Sequence, residues 1–391
     1  MTLLDTLLES AVKDDTAPGI VVIARDKGGK VNYSKAFSSE NGTPYHLDTV
    51  MEISSMTKFP TTIAALQLVE RGLVTLDEDI SPLLPSFAKQ GVLTSVAEDG
   101  TPTVRERRNP ITLRHLITHS SGAGYHFFHE GLGKVRAWQK KGPPTKDSVD
   151  DSFDLPLLFE PGEGWEYGSG LDRVGQVVEK LSGLSLEDYT RKNIWEPLGA
   201  DSSTFFPDLH PSIKARQVPM AYRGDPEGPA VEKPEVPTVA TGLKVPYGGH
   251  GLFASMPDYF SILYSLLMDD EKLLKKETTA MMFQPQLVPA SKQALDQFLE
   301  TPEMKMQFPS PPNERDYGLG GLLVVGDNHE YWRKGALMWG GAASLNWFID
   351  RSTGVCGIFG AQVLPSDQRM RTLIDAFQAD VYRRAGKVVL T

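Results

Sequence analysis

The chain has little of what several classes of protein require. It contains one cysteine in 391 residues, so it forms no internal disulfide, which fits a reducing compartment. It has no stretch of 18 apolar residues that could cross a membrane. Near the start an acidic residue, Asp5, stands where a secretory signal needs basic residues before an apolar run. We therefore expect a cytoplasmic protein with no membrane association.

The chain also has fewer basic than acidic residues. The sequence has 40 Lys and Arg against 50 Asp and Glu, which gives a formal net charge of −10. Phosphate recognition depends on concentrated Lys and Arg, so this balance argues against a nucleic-acid partner. The one basic cluster, Arg105, Arg107 and Arg108, is interrupted by Glu106 and predicts a solvated or salt-bridged face.

The apolar pattern places strands near both ends of the chain and helices between them. Strands are predicted at 20–25 and 31–37, joined by the hairpin signal Gly28-Gly29, and again at 322–325, 344–349 and 355–362. Helices are predicted to about Asp14, from Lys58 to the stop signal Gly72, at 171–181 and around Leu373. This order predicts an α/β fold (α+β) in which both chain ends form one antiparallel sheet and the middle is an inserted, mostly helical region. The predicted subdomains are 1–57 with 315–391, and 58–314.

A proline-rich segment, 207–246, holds eight of the 28 prolines and shows little apolar periodicity. It predicts a long loop, and the sequence leaves open whether that loop is a binding lid or a surface excursion.

The first candidate site is Ser55-Met56-Thr57-Lys58, which directly precedes a helical pattern. Residues three apart on a helix share one face, so the Lys58 amine can reach the Ser55 hydroxyl. A serine becomes a strong nucleophile only when a base takes its proton, and a lysine can do so. The start of a helix also favours developing negative charge. The motif is short enough to occur by chance, so other residues must support it.

Two further motifs follow in an order that suits the same chemistry. Tyr167, in Tyr167-Gly168-Ser169, can relay a proton beside a lysine, although an isolated tyrosine is usually a core aromatic. Trp339-Gly340-Gly341-Ala342 is predicted at the start of a C-terminal strand. Consecutive glycines let the backbone approach a ligand, so an N–H there could join the N–H of Ser55 in an oxyanion hole, while a bulge is the simpler interpretation.

Together the three motifs resemble the serine β-lactamases, the penicillin-binding proteins and their related esterases. Other stretches resemble the class C β-lactamase-like esterases, and within that branch the fungal lovastatin-type acyltransferases, over nearly the whole chain. These stretches are Glu70-Arg71-Gly72-Leu73-Val74, Ile111 to Gly122, and Gly248-Gly249-His250-Gly251-Leu252.

The resemblance implies a serine β-lactamase-like fold and a role for each matching residue. Ser55 maps to the nucleophile, Lys58 to its base, Tyr167 to a second base and Ala342 to the oxyanion hole. Tyr125 falls where this branch often has a further active-site tyrosine, and it is expected to bind substrate together with Trp339, Gly340 and Gly341. The implied partners are a thioester or ester acyl donor, an alcohol acceptor resembling a polyketide, and an acyl-carrier protein that presents the donor. The resemblance implies no cofactor.

One departure leaves alternatives open. The third motif begins with Trp339, where penicillin-recognising relatives have a lysine that pairs with the β-lactam carboxylate. Trp-Gly-Gly also occurs in the carboxylesterases of this group, so a carboxylesterase remains the alternative to an acyltransferase. β-Lactam hydrolysis and a non-catalytic binding protein of the same fold are remoter alternatives.

Other kinds of site fit the sequence less well. The Gly-x-Ser-x-Gly pattern of an α/β-hydrolase is absent. His126, His129 and Glu130 do not form a zinc-binding His-Glu-x-x-His. His115 and His119 are one helical turn apart and are interpreted as hydrogen-bonded structural histidines of a helix.

Overall fold

The structure is a computed structural model that describes residues 2–140, 146–308 and 314–386. Its strands are β1 (Gly19–Asp26), β2 (Asn32–Ser38), β3 (Val50–Glu52), β4 (Val92–Val96), β5 (Pro102–Arg105), β6 (Ser203–Thr204), β7 (Ala221–Tyr222), β8 (Val231–Glu232), β9 (Phe253–Ser255), β10 (Arg315–Tyr317), β11 (Leu322–Val324), β12 (Ala336–Gly341), β13 (Leu345–Asp350), β14 (Val355–Gly360) and β15 (Val363–Leu364).

Most of the α-helices lie in the middle of the chain, between β2 and β10. They are α1 (Leu3–Lys13), α2 (Lys58–Glu70), α3 (Pro85–Ala88), α4 (Leu113–Ile117), α5 (Glu130–Trp138), α6 (Val149–Ser152), α7 (Gly170–Ser182), α8 (Leu186–Thr190), α9 (Glu196–Leu198), α10 (Pro211–Lys214), α11 (Met256–Met268), α12 (Lys276–Met282), α13 (Pro289–Leu299), α14 (Pro302–Gln307) and α15 (Gln368–Arg384). Short 3-10 turns span Ser54–Thr57, Ser81–Leu83 and Pro207–Leu209, and a π-helical turn spans Arg191–Trp195.

The main sheet joins the two ends of the chain. Its strand order is β10-β11-β12-β13-β14-β1-β2, and every neighbouring pair is antiparallel. In the centre, Ile23 of β1 lies opposite Ser34 of β2 on one side and Ile358 of β14 on the other. The predicted antiparallel sheet from both chain ends is therefore confirmed.

Helices cover both faces of this sheet. Neighbouring side chains of a strand point to opposite faces, and two glycines of β14 show what covers each face. A Cβ on Gly357 would meet Phe377 of α15, whereas a Cβ on Gly360 would meet Met256 of α11. Because the sheet is buried on both faces, β1 and β14 are nearly continuous apolar runs.

The middle of the chain is built around two packed helices. The side chains of α2 are buried from Lys58 to Leu68, and α2 packs against α7. A small antiparallel sheet, in the order β3-β9-β6, leads directly into the turn before α2. Helix α11 also belongs to the middle of the chain but packs on the main sheet. The subdomain boundaries proposed from the sequence stay a prediction.

The proline-rich segment 207–246 is mostly irregular and contains α10, β7 and β8. Both of its strands form hydrogen bonds with the rest of the molecule. Ala221 of β7 pairs in parallel with Val363 of β15, and Glu232 of β8 accepts hydrogen bonds from the backbone and hydroxyl of Thr43.

The prediction of a salt-bridged face for the basic cluster is also confirmed. Arg105 and Arg108 of the basic cluster form ion pairs with the buried carboxylate of Glu160. Burial alone would raise the pKa of Glu160, but hydrogen bonds from the two arginines and nearby backbone hold it at about 2. Cys356 is a buried core thiol in β14. Among the described residues, no helix is long and apolar enough to cross a bilayer.

Candidate active site

A strained turn presents the Ser55 side chain. The chain leaves β3, turns through Ser54–Thr57 and enters α2. Ser54 has a φ of 47°, in the left-handed region that non-glycine residues rarely occupy. The turn is held by hydrogen bonds from the Thr57 hydroxyl to the Ser54 carbonyl and from the Tyr259 hydroxyl to the Met56 carbonyl. Ser55 itself is half-buried.

Lys58 places a buried ammonium group beside this serine. Its Nζ lies 3.4 Å from Ser55 Oγ and donates to the Gly249 carbonyl at 2.7 Å. The same Nζ lies 4.6 Å from the ring centre of Tyr167 and 5.6 Å from that of Tyr125. Burying a cation is costly unless other groups stabilise it, and here one carbonyl and two aromatic faces do so.

Tyr167 lies just before α7 among other aromatic rings. Its ring centre is 4.7 Å from that of His119 and 5.5 Å from that of Trp339. The next residue must be glycine, because a Cβ on Gly168 would collide with the Ala123 carbonyl. The motif thus combines an aromatic side chain at the site with close backbone packing immediately behind it.

The Trp339 motif lies beside the same turn, but its secondary structure differs from the prediction. Trp339, Gly340 and Gly341 end β12, and the exposed Ala342 begins the turn into β13. The predicted strand start was wrong, because two consecutive glycines interrupt the apolar pattern from which strands are predicted. They instead form the end of a ladder in which Gly341 pairs with Leu345.

Two close contacts explain these glycines. A Cβ on Gly341 would lie 2.5 Å from the Ile53 carbonyl oxygen, and one on Gly340 would lie 2.5 Å from the Leu345 carbonyl oxygen. Glycine therefore lets the end of β12 pack directly against the segment that carries Ser55.

Tyr125 is held at the site by a hydrogen bond to Asp172, a residue that sequence reasoning missed. The Tyr125 hydroxyl donates to Oδ2 of the fully buried Asp172 at 2.9 Å, and the Gly249 N–H donates to Oδ1 at 2.9 Å. Asp172 therefore fixes both Tyr125 and the residue whose carbonyl binds Lys58. Burial, together with Asp172, raises the pKa of Tyr125 well above its usual range. The sequence offered no sign of this role, because position 172 lies on the side of the predicted helix 171–181 opposite its apolar residues, where an acid is expected to face solvent.

Two histidines line the site as neutral groups. Burial lowers the pKa of His119 well below its usual range, with a further contribution from Lys58. Burial also lowers the pKa of His250 to about 4. In both, the neutral ring is therefore the form present near pH 7.

The expectation that His115 and His119 are hydrogen-bonded histidines of one helix was only partly correct. His115 is in α4, but His119 lies beyond its end with a φ of 60°. His119 Nδ1 accepts from the Gly168 N–H, whereas His119 Nε2 and His115 Nδ1 are buried without a partner in the described residues. Helical spacing could not show that the chain turns left-handed at position 119.

Glu166 is a second carboxyl group that sequence reasoning missed. It precedes Tyr167 and lines a separate cavity of about 390 Å³ that also includes Trp165 and His129. Burial raises the pKa of Glu166 to about 7. In residues 2–140, 146–308 and 314–386, no group of His, Cys, Asp and Glu is arranged to hold a metal ion.

Comparisons with known proteins agree with this geometry. The family profile described as Beta-lactamase matches residues 4–379. Lovastatin esterase of Penicillium rubens is 38% identical over 97% of this chain and 98% of its own length. Monacolin J acid methylbutanoyltransferase of Aspergillus terreus is 36% identical over 98% of this chain and 95% of its own.

Solved structures support the same relationship. Unliganded simvastatin synthase from Aspergillus terreus superimposes with a TM-score of 0.90 at 36% identity, covering 98% of each chain. The serine β-lactamase-like fold is confirmed, and these relatives are acyltransferases and esterases. The roles of the individual site residues stay predictions.

Asp172 should matter for turnover more than for substrate affinity. We expect Asp172→Asn to lower kcat for p-nitrophenyl acetate about a hundredfold with little change in KM, because Gly249 and Tyr125 would both move. Tyr125→Phe, which removes one of the two bonds, should cost less. Thermal melting of the same samples checks the fold. Full kcat in Asp172→Asn would contradict the positioning role.

Glu166 should make stability depend on pH. Its folded pKa of about 7 lies above the ordinary value of 4.5, so its contribution to stability is complete below pH 4.5 and is lost as pH rises through 7. The Tm of Glu166→Gln minus that of the wild type should therefore increase from pH 5 to pH 8. The control is Glu163→Gln, an exposed glutamate in the same segment, which should follow the wild type. A pH-independent Tm difference for Glu166→Gln would refute the assignment.

Proposed function

The chain belongs to the β-lactamase family, and on that premise we propose that it is a serine acyltransferase. It moves an acyl group from a thioester or ester, through an ester on Ser55, to a hydroxyl group of a second molecule. One observation carries the proposal: the buried Nζ of Lys58 lies 3.4 Å from Ser55 Oγ and against the ring of Tyr167.

The first half-reaction forms the acyl-enzyme. Ser55 Oγ attacks the carbonyl carbon as its proton passes to the pair Lys58 and Tyr167. The pair accepts this proton from the state that has one proton fewer than an ammonium group beside a phenol, either an ammonium group beside a phenolate or a neutral amine beside a phenol. The N–H groups of Ser55 and Ala342 stabilise the oxyanion. The carbon–sulfur or carbon–oxygen bond of the donor then breaks, and the leaving thiol or alcohol takes the proton from the pair.

The second half-reaction reverses these roles. The acceptor hydroxyl gives its proton to Lys58 and Tyr167 as its oxygen attacks the acyl carbon. The new ester leaves, and Ser55 Oγ recovers a proton. No cofactor enters either half-reaction.

The substrates are proposed from the surroundings of the site and from the relatives. Tyr125, Trp339, Gly340 and Gly341 are assigned to substrate binding, and Trp339 stacks on Phe308 with ring centres 5.0 Å apart. Aromatic walls suit a bulky apolar acceptor. The A. terreus relative is named for transfer to monacolin J acid, so we propose a polyketide-like alcohol here.

The donor and the location belong to the same proposal. We propose that an acyl-carrier protein presents the thioester. We place the reaction in the cytoplasm, which the single buried cysteine supports, since the chain needs no oxidising compartment.

A carboxylesterase is the second candidate, and a specific observation favours it: the P. rubens relative is named lovastatin esterase. Penicillin hydrolysis fits less well, because Trp339 offers no cation to a β-lactam carboxylate and desolvating that carboxylate would be uncompensated. A non-catalytic protein of this fold would have no need to keep Ser55, Lys58 and Tyr167 together.

Covalent labelling tests the nucleophile. A fluorophosphonate should add its mass to the peptide that contains Ser55, and Ser55→Ala should take up no label. The matched control is Ser54→Gly, which removes the neighbouring hydroxyl at a φ of 47° that glycine adopts readily, and it should still be labelled. Mass spectrometry that finds full-rate labelling of another serine would overturn the assignment.

The fate of the acyl group separates transfer from hydrolysis. An alcohol outcompetes water only when the pocket binds it or excludes water. With a short-chain acyl thioester as donor and sub-millimolar monacolin J acid as acceptor, we expect more ester product than free acid by chromatography. A panel of other polycyclic alcohols extends the assay. If free acid dominates with every alcohol and turnover does not respond to them, the protein is a carboxylesterase.

A further inference from the structure

A large cleft opens beside the segment that carries Ser55. Its walls are the segments 205–220 and 233–244, which include most of the proline-rich region, and its floor is formed by Glu52, Phe253 and Gln362. Its volume is about 790 Å³. Pockets for drug-sized molecules range from about 300 to 1,000 Å³, so this cleft can hold a ligand of several fused rings.

The interior walls are mainly apolar. The cleft is lined by four apolar residues that are at most 9% exposed, namely Phe205, Val218, Met220 and Leu243. Leu209 lines it too but is 74% exposed, so a large apolar side chain faces solvent there. These walls suit an apolar molecule.

Two buried oxygen atoms in the cleft need partners. Glu52, on β3, is 4% exposed, and its Oε2 accepts a hydrogen bond from the Thr238 hydroxyl. Its Oε1 and the Oε1 of Gln217 are buried with no well-aligned hydrogen bond in the described part of the chain, although the backbone N–H of Ala240 lies close to the Glu52 carboxyl group. A buried polar atom without a partner destabilises the protein, so a group that pairs with it stabilises the complex. Both atoms are assigned as acceptors, which calls for hydroxyl or amine donors.

Positive charge lies around the rim of the cleft. Lys214, Lys233 and Lys244 line the cleft with exposed side chains, and Lys214 pairs with Asp208 at 2.9 Å. Lys146 faces Glu52 from the loop, but its ammonium group donates to the carbonyls of Thr238, Val239 and Thr241. Within the described residues, a carboxylate at the floor would therefore face the Glu52 side chain and no free ammonium group.

The cleft adjoins the catalytic residues. Glu52 ends β3 three residues before Ser55. Leu243 and Phe253 belong to the same apolar cluster as Tyr125 and Tyr167. Leu243 also packs against Gly251, whose φ is 92°, in the turn whose Gly249 carbonyl binds Lys58. The cleft therefore borders the segment and the apolar cluster that hold the catalytic residues, although Ser55, Lys58, Tyr125 and Tyr167 do not themselves line it.

We propose that this cleft binds the acyl acceptor, with Glu52 and Gln217 accepting hydrogen bonds from hydroxyl groups at its inner end. The inference rests on the proposed acyl transfer and adds a selection rule to it. The inner end of the acceptor carries uncharged hydroxyl or cationic amine donors, and any carboxylate stays at the mouth beside the lysines.

Binding to Ser55→Ala protein tests this rule without turnover. The probes are monacolin J acid and its methyl ester, measured by calorimetry. The ester keeps the hydroxyls and removes the negative charge, so it should bind at least as tightly as the acid. Adding Glu52→Leu or Gln217→Leu should weaken binding of the ester about tenfold, whereas Glu52→Gln, which keeps an acceptor oxygen, should stay within about threefold.

The matched control is Gln139→Leu. It removes a buried, unpartnered Oε1 that lines a different cavity, and it should leave affinity unchanged. Thermal melting of every variant checks the fold, and Gln217→Leu replaces Glu52→Leu if the latter does not fold.

The outcomes separate this inference from the proposed function. Three results would each overturn the cleft assignment. They are unchanged affinity in both leucine variants, binding of the acid ten times tighter than that of the ester, and no binding of either probe. If the ester binds as expected while the transfer assay yields only free acid, the cleft assignment holds and acyl transfer fails.

Discussion

Keeping the ammonium group of Lys58 buried beside Ser55 is the constraint on which the rest of the site depends. A buried charge costs several kcal/mol unless dipoles and other groups compensate for it. Here the compensation comes from the Gly249 carbonyl at 2.7 Å and from the rings of Tyr167 and Tyr125. Asp172 holds two of these three groups in place. The loops around positions 125, 167 and 249 must therefore meet at one point.

The sequence could predict the parts of this arrangement that are local. Ser55 and Lys58 are one turn apart, and the apolar pattern after Lys58 identifies α2, so their proximity follows from helix geometry. The antiparallel sheet follows from strand patterns at both ends of the chain. The Asp172 contacts could not be predicted, because they join residues 47 and 77 positions apart through irregular segments. Periodicity places position 172 opposite the apolar face of α7, so it predicts an exposed acid and does not show that the first turn of this helix is buried all round.

The proposed catalytic residues and the proposed acceptor cleft are built on different kinds of structure. Ser55, Lys58 and Tyr167 lie at the starts of the two buried helices α2 and α7, where core packing fixes the backbone. The cleft beside them is walled mostly by irregular segments. Loops of this kind tolerate changes in length and sequence. Members of this family can therefore differ in acceptor while the three residues stay the same.

The pairing of β1 with β14 has a consequence for the newly made chain. Val21 pairs with Gly360, 339 residues later, so at 5–20 residues per second one edge of β1 waits on the order of half a minute for its partner. The end of β12 that packs against the Ser55 segment is also synthesised late. An incomplete chain on the ribosome thus exposes the unpaired edge of an apolar strand, which is prone to aggregation until chaperones shield it. It also lacks the end of β12 that packs beside Ser55, so the proposed active site is complete only when synthesis is nearly finished.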